Sequence, residues 1–494
     1  MTRRWLPLIL LALGLNPVPA LGFDSSEYRQ NTYGPPRRYC DPARLLTSNG
    51  TGTLADPWNM SQCAALPVAG DVVGVLPGVS VRLPTTANDN IPAFNPSNSG
   101  TVNNRIVYVT RYAAVALTNV ATNASRTELR HNGGAPTIVN GVGGGTGCAA
   151  YGANGRNYIT FDGFFVDMAQ AYMKEDSGVI RPENSTGIHF KNFVIKGAVL
   201  TIASNPVVYR PHNAVDTVLS NFRVYDFIND PTGSNTPQAA LFSDQYGDQN
   251  FLIEHFEITN TQRGIFLKGT TPGPTFNYGT IRYGIVSNVT SCYQFNDLHP
   301  SNLTTLEYNL CYDLTYGAGI YLSSETTAAR NILIHHNTVA RVNSSNPNTH
   351  GGFYSRTNGI GSNVTIRDNL VDITSGTYGH GVDFGEISGL PATLNYNGYT
   401  KNGSTVTFAH NGTAYNSINA WRSATGKDTN SQILSSSPFV NRANGNFRVA
   451  AGHAAMTASS TGGQIGAYAT SVPIGVDVGP PPAAPVAPTG ITIR

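Results

Sequence analysis

Short runs that mix apolar and polar positions recur along the middle of the chain. They are FDGFFV from Phe161, FKNFVI from Phe190, LSNFRV from Leu219, IEHFEI from Ile253, IRYGIV from Ile281, LEYNLC from Leu306, IHHNTV from Ile334 and IRDNLV from Ile366. Aligned, their fourth positions read Phe164, Phe193, Phe222, Phe256, Gly284, Asn309, Asn337 and Asn369, in steps of 29, 29, 34, 28, 25, 28 and 32 residues. Each run is too short to bury its apolar side alone, so stacking against its neighbours is the expected solution. In a parallel β-helix every coil gives one strand to each face, coils lie about 4.8 Å apart and like side chains form ladders. The change from Phe to Asn suits a turn, because Asn tolerates left-handed backbone and hydrogen-bonds along a stack. A β-sandwich with accidental spacing is the competing reading, and eight runs in register weigh against it.

A second alignment follows in the next strand of each coil: ALFSDQ from Ala240, GIFLKG from Gly264, CYQFND from Cys292, GIYLSS from Gly319, GFYSRT from Gly352 and GVDFGE from Gly381. Strand alternation sends Ile265/Leu267, Tyr293/Phe295, Ile320/Leu322, Phe353/Ser355 and Val382/Phe384 inward. Three outward files remain. One reads Phe242, Phe266, Gln294, Tyr321, Tyr354, Asp383, a second Asp244, Lys268, Asn296, Ser323, Arg356, Gly385, and a third Gln245, Gly269, Asp297, Ser324, Thr357, Glu386. Aromatic rings beside polar and charged groups, repeating at about 4.8 Å, suit a chain of sugars, whose C–H faces stack on rings. The plainer alternative is a satellite core in which loops or a partner cover the rings.

These runs resemble the pectate-lyase-like right-handed parallel β-helix superfamily, over roughly Tyr39 to Tyr468. GTGTLADPW from Gly50, a short helix-like stretch to Leu66 and GDVVGVLPG from Gly70 look like its entry segment, an N-terminal cap over an otherwise open edge. TGKDTNS from Thr425, SPFVN from Ser437 and GQIGAY from Gly463 resemble its closing segment. The expected organisation is a signal peptide at 1–22, a cap at 23–100, an all-β solenoid at 101–400, a closing segment at 401–470 and a Pro-rich tail at 471–494.

Composition narrows the partners. Charged residues make up 12% of the chain, and past residue 22 the 29 basic groups (31 minus Arg3 and Arg4) balance 29 acidic ones, which disfavours an electrostatic nucleic-acid binder. Arg3 and Arg4 precede an apolar run from Leu6 to Leu15 and a small-residue site at Ala20-Leu21-Gly22, the pattern of an export signal. No other stretch is long and apolar enough to span a membrane. A secreted, periplasmic or cell-surface protein is therefore expected. Five cysteines fit an oxidising compartment, with Cys40 and Cys63 placed to staple the entry segment and the pairing of Cys292 and Cys311 left open.

The chain has only six lysines, which draws attention to Lys268 in the middle of a polar file. The resemblance implies a lyase of uronic-acid-containing, hence acidic, polysaccharide, with Lys268 as base and Asp244 and Asp297 as helpers or calcium ligands, since carboxylates suit that hard cation. Arg356, three coils away or about 14 Å, would serve another subsite, and Phe242, Phe266, Tyr321, Tyr354, Asn296, Asp383 and Glu386 would line the groove. An ion pair between Lys268 and Asp244 is the structural alternative. A glycoside hydrolase would instead use Asp244 and Asp297, two coils or about 9.6 Å apart. A non-catalytic glycan-binding adhesin is a third reading, because fold does not dictate function. Gly379-His380-Gly381 matches one polygalacturonase motif whose companions are absent, so His380 is read as a turn residue. The charged column Asp162, Lys191, Glu254, Arg282, Glu307, His335, Arg367 is read as a solvated face, and His335 and His336 as pointing to opposite sides.

Overall fold

A computed structural model describes residues 33–476 apart from several loop segments, the longest being 83–93, 111–126, 132–150, 168–177, 230–240 and 269–276. The expected signal peptide, all of the Pro-rich tail beyond residue 476, Cys148, Asp244, Asp297 and Glu386 lie outside the described residues. The strands wind into a parallel β-helix with three faces. On the first face one interior stack runs Phe161, Phe190, Leu219, Ile253, Ile281, Leu306, Ile334, Ile366, Leu394, every neighbour paired in parallel register. The second face repeats the device with Ile195, Val224, Ile258, Val286, Cys311, Val339, Val371 and Tyr399. The core is thus a set of in-register apolar ladders, each closing what one coil alone leaves open.

Each six-residue run turns the corner between these two faces and is not one flat strand. The bend is made by a residue in the left-handed region, Asn192, Asn221, His255, Tyr283, Tyr308, His336, Asp368 and Tyr396 in successive coils. The left-handed position is therefore the one before the Phe/Asn column, which corrects the expectation that the Asn residues themselves take it. Phe193, Phe222 and Phe256 stack at 4.7 and 5.5 Å between ring centroids. Gly284 ends that stack because a Cβ there would collide with the Phe256 ring. Its backbone N–H donates to Asn309 Oδ1 at 2.9 Å, which opens an asparagine ladder through Asn337 and Asn369 that extends to Asn397 and Ser431.

Both ends are closed. At the start α1, Met60–Ala65, is capped by Asn59 and Gln62 in a reciprocal box and held by the Cys40–Cys63 disulfide, as the entry segment predicts. At the finish α2, Ile418–Thr425, lays fully buried Trp421 over Phe408, ring centroids 5.5 Å apart. Trp421 Nε1 donates to the buried Asp428 carboxylate at 2.9 Å. Residues 434–467 then double back so that Leu434, Phe439, Phe447 and Ile465 cover Leu310 and Leu370 on the outer side of the second face.

Cys292 and Cys311 are joined, from the third face to the second of the next coil, through the interior. Closing that 19-residue separation restricts the unfolded chain by about 3 kcal/mol. We expect the Cys292→Ser, Cys311→Ser double variant to lose stability by about that amount in urea unfolding, with a steeper slope because the unlinked unfolded chain exposes more surface. A loss under about 0.5 kcal/mol would contradict it.

Candidate functional site

The third face consists of β1 (Leu241–Ser243), β2 (Arg263–Lys268), β3 (Ser291–Asn296), β4 (Gly317–Ser323), β5 (Thr349–Arg356) and β6 (His380–Phe384). Its register is the one read from the sequence. Phe242, Phe266, Gln294, Tyr321, Tyr354 and Asp383 pair in succession, and so do Lys268, Asn296, Ser323 and Arg356. Period-two alternation on an unbroken stack fixes which residues share a side. Arg356 is three coils from Lys268, about 14 Å along the stack.

Burial redraws the surface expected from these files. Phe266 is 4% exposed, packed on Val207 with the Arg263 guanidinium 5.1 Å from its ring centroid. Tyr354 is also 4% exposed, and Asn296 and Gln294 are buried beside each other. The open aromatic file is therefore a correction: at Phe266 and Tyr354 the rings are covered, because strands and side chains of the same face close over them. Tyr321 stays half-buried, Lys268 is half-buried and Arg356 is exposed. Asp244, Asp297, Glu386 and the side chain of Phe242 lie outside what the structure describes.

What covers Tyr354 is His350. The two rings lie parallel, 7° between planes and 3.7 Å between centroids, although they are four positions apart on β5. Gly351, at φ +116°, makes the fold-back possible, and a Cβ there would strike the His380 carbonyl oxygen. Glycine alone takes that backbone geometry at little cost. Asp383, the partner of Tyr354 on the next coil, has one carboxylate oxygen 3.1 Å from His350 Nδ1 and accepts from the Gly385 backbone N–H at 3.1 Å with the other. An ionised carboxylate only accepts, so Nδ1 carries the hydrogen and the ring's other lone pair sits on Nε2. Tyr321 lies 4.9 Å from Tyr354 on the preceding coil. The side chains of His350 and Asp383 are 34% and 15% exposed.

His380, one residue from the glycine of β6, borders this group. Its Nδ1 is 2.8 Å from Thr407 Oγ1, and burial pushes its pKa below the ordinary histidine value; Asp383 opposes that shift while Lys401 and His350 add to it. Burial thus favours its neutral form, and its place as the first residue of strand β6 corrects the expectation of a turn residue.

This register decides the class of fold. The chain is a three-faced parallel β-helix. No family model and no curated protein matches it. Among solved structures it is similar to pectate lyase Pel9A, at 14% identity and TM-score 0.43 over 88% of this chain and 98% of that one. The GH136 lacto-N-biosidase from Eubacterium ramulus gives 11% identity and TM-score 0.45 over 80% and 67%. A rhamnogalacturonan lyase gives 13% and 0.39 over 69% and 83%.

The structure brings together Tyr321, Tyr354 and Asp383 from the sequence files, with Arg356 two residues beyond Tyr354 on β5, and it places Lys268 three coils from Arg356. His350 was absent from every aligned column. Its signal is local: Thr349-His350-Gly351-Gly352, a polar ring before a glycine pair at the mouth of a strand. His335 and His336 are a second correction, because the left-handed backbone at His336 turns the rings toward each other, Nδ1 to Nδ1 at 2.9 Å. His335 also meets Glu307 at 3.0 Å, and Arg282 meets Glu254 at 2.8 Å, within the charged column read as a solvated face. Among the described residues no group of three or more His, Cys, Asp or Glu side chains is placed to hold a metal ion. The calcium expectation rests on Asp244 and Asp297 alone. No helix among the described residues is long and apolar enough to cross a membrane.

Proposed function

We propose that this protein is an exported enzyme that cleaves uronic-acid-containing polysaccharide by β-elimination on the outer side of its third face. One observation carries the reading: an exposed guanidinium, a half-buried tyrosine ring and a carboxylate-bound imidazole stand within three adjacent coils, at Arg356, Tyr321 and His350–Asp383. A guanidinium matches a sugar carboxylate in a bidentate pair and lowers the cost of removing the proton beside it. A tyrosine ring edge and hydroxyl offer an apolar contact and a hydrogen bond to the neighbouring pyranose. Elimination then breaks the C5–H bond, forms the C4–C5 double bond and expels the glycosidic oxygen from C4. Lys268 as base, expected from the sequence, would act about 14 Å from Arg356, in a separate subsite. Export accords with the N-terminal signal pattern and with two disulfides, which persist in oxidising compartments.

Arg356→Gln should raise KM for an acidic glycan about tenfold or more, the size expected when a charge-assisted pair is lost, and Tyr321→Ala about threefold to tenfold. Initial rates against substrate concentration, with wild-type melting temperature as the control for folding, check both. An Arg356→Gln enzyme with unchanged KM would remove the carboxylate-holding role.

A further inference from the structure

We propose that His350 Nε2 is the proton acceptor of this site, and that Asp383 is the residue that positions it. The inference rests on the polysaccharide-cleaving reading and names the group that does its chemistry. Two contacts fix the imidazole, the Asp383 carboxylate at Nδ1 and the Tyr354 ring across one face, and the left-handed backbone at Gly351 folds the chain so that both can form. A ring pinned at one nitrogen and across one face has one orientation, which is the condition for efficient proton transfer. The carboxylate sets the tautomer, so the basic lone pair is at Nε2, and it stabilises the imidazolium formed when the proton arrives. The His350 side chain is 34% exposed, whereas Asp383 behind it is 15% exposed, so the ring and not the carboxylate is the group offered outward.

The neighbours exclude the other candidates within reach. His380 has its Nδ1 engaged by Thr407 and a pKa lowered by burial, and Lys401 directs Nζ at the Tyr378 and Gly379 carbonyl oxygens, 3.2 and 3.4 Å away. The Asp383 carboxylate is already held by His350 and by the Gly385 backbone. In the step itself, Nε2 takes the C5 proton, the C–H electron pair becomes the C4–C5 double bond and the C4–O pair leaves with the departing sugar. The imidazolium then returns its proton to that oxygen or to water, so the cycle closes with no oxidant, reductant or cofactor.

The test uses the full chain with a uronic-acid polysaccharide that the wild type cleaves, following ultraviolet absorbance of the unsaturated product. His350→Ala and His350→Gln should each lower kcat by about 10²- to 10⁴-fold with KM changed less than about threefold. Free imidazole added to His350→Ala should restore activity in proportion to its concentration, which a structural histidine would not show. Asp383→Asn should lower kcat by about tenfold or more with KM retained, and Asp383→Glu should recover part of it. Melting temperatures near wild type confirm that the variants fold, and His350→Gln is the fallback where His350→Ala does not. If the wild type cleaves but either His350 variant keeps more than about a third of kcat, the inference is overturned and the function stands. If His350→Ala loses activity and imidazole restores none, the proton-acceptor role is overturned too. A wild type that cleaves no uronic-acid chain overturns the functional reading and the inference with it.

Discussion

Asn337→Leu should destabilise the central coils by about 4 kcal/mol, the largest stability loss expected of any single substitution here. Asn337 Oδ1 accepts from the backbone N–H and the Nδ2 of Asn309 at 3.1 and 3.0 Å, while its own Nδ2 reaches the carbonyls of Leu306 and His335 at 2.8 and 2.9 Å. All of these lie where water does not enter, since Asn309, Asn337 and Asn369 are each at most 1% exposed. Leucine fills the volume but leaves the Asn309 N–H and the Leu306 carbonyl unsatisfied, at about 1–3 kcal/mol each. Urea unfolding of the full chain should show the midpoint lowered with the slope kept. A change below about 1 kcal/mol would mean that the ladder is ornamental to stability.

Stability should also fall as pH rises from about 4 to about 7, because of Asp248. Its carboxyl is fully buried and accepts from the Tyr209 hydroxyl at 2.5 Å; burial, the largest influence, lifts its pKa to about 7, against the lowering effect of the hydrogen bond from Tyr209. In the unfolded chain the same group ionises near its ordinary 3.8. Between those values the folded state binds more protons, so its contribution is fully present below about pH 4 and is lost as pH climbs through about 7. Three pH units correspond to about 4 kcal/mol. Asp248→Asn, which keeps a hydrogen-bonding group in place, should flatten that slope in melting temperatures taken from pH 4 to 8. A slope equal to that of wild type would remove Asp248 as its source.

The repeat made much of this molecule legible before any coordinates. Register survives translation from sequence to structure because a coil that slipped by one residue would turn its apolar ladder outward, and Phe266 against Gln294 or Tyr321 against Tyr354 could be aligned by eye for that reason. Exposure did not survive, because it depends on what lies over a strand: Tyr354 aligns as an outward ring and is then covered by His350. His350 itself was hidden since it belongs to no column. It reaches the site through a glycine kink, which spacing does not encode. The asparagine ladder also runs one coil further, to Asn397, in LNYNGY from Leu394, which keeps the apolar first position but ends on Tyr399, after Gly398, where the other runs end on a smaller apolar residue. The Cys292–Cys311 bond required knowing that the third face of one coil meets the second face of the next across the core.

The most direct measurement of the central claim is cleavage itself. The full chain is incubated with pectate, alginate and glycosaminoglycans, with calcium and then with chelator, and ultraviolet absorbance is followed beside new reducing ends. The account predicts that both rise together on at least one uronic-acid chain and that Arg356→Gln and His350→Gln suppress them together. Reducing ends without absorbance would mean hydrolysis, and silence on both channels would mean a binding protein; either result contradicts the account.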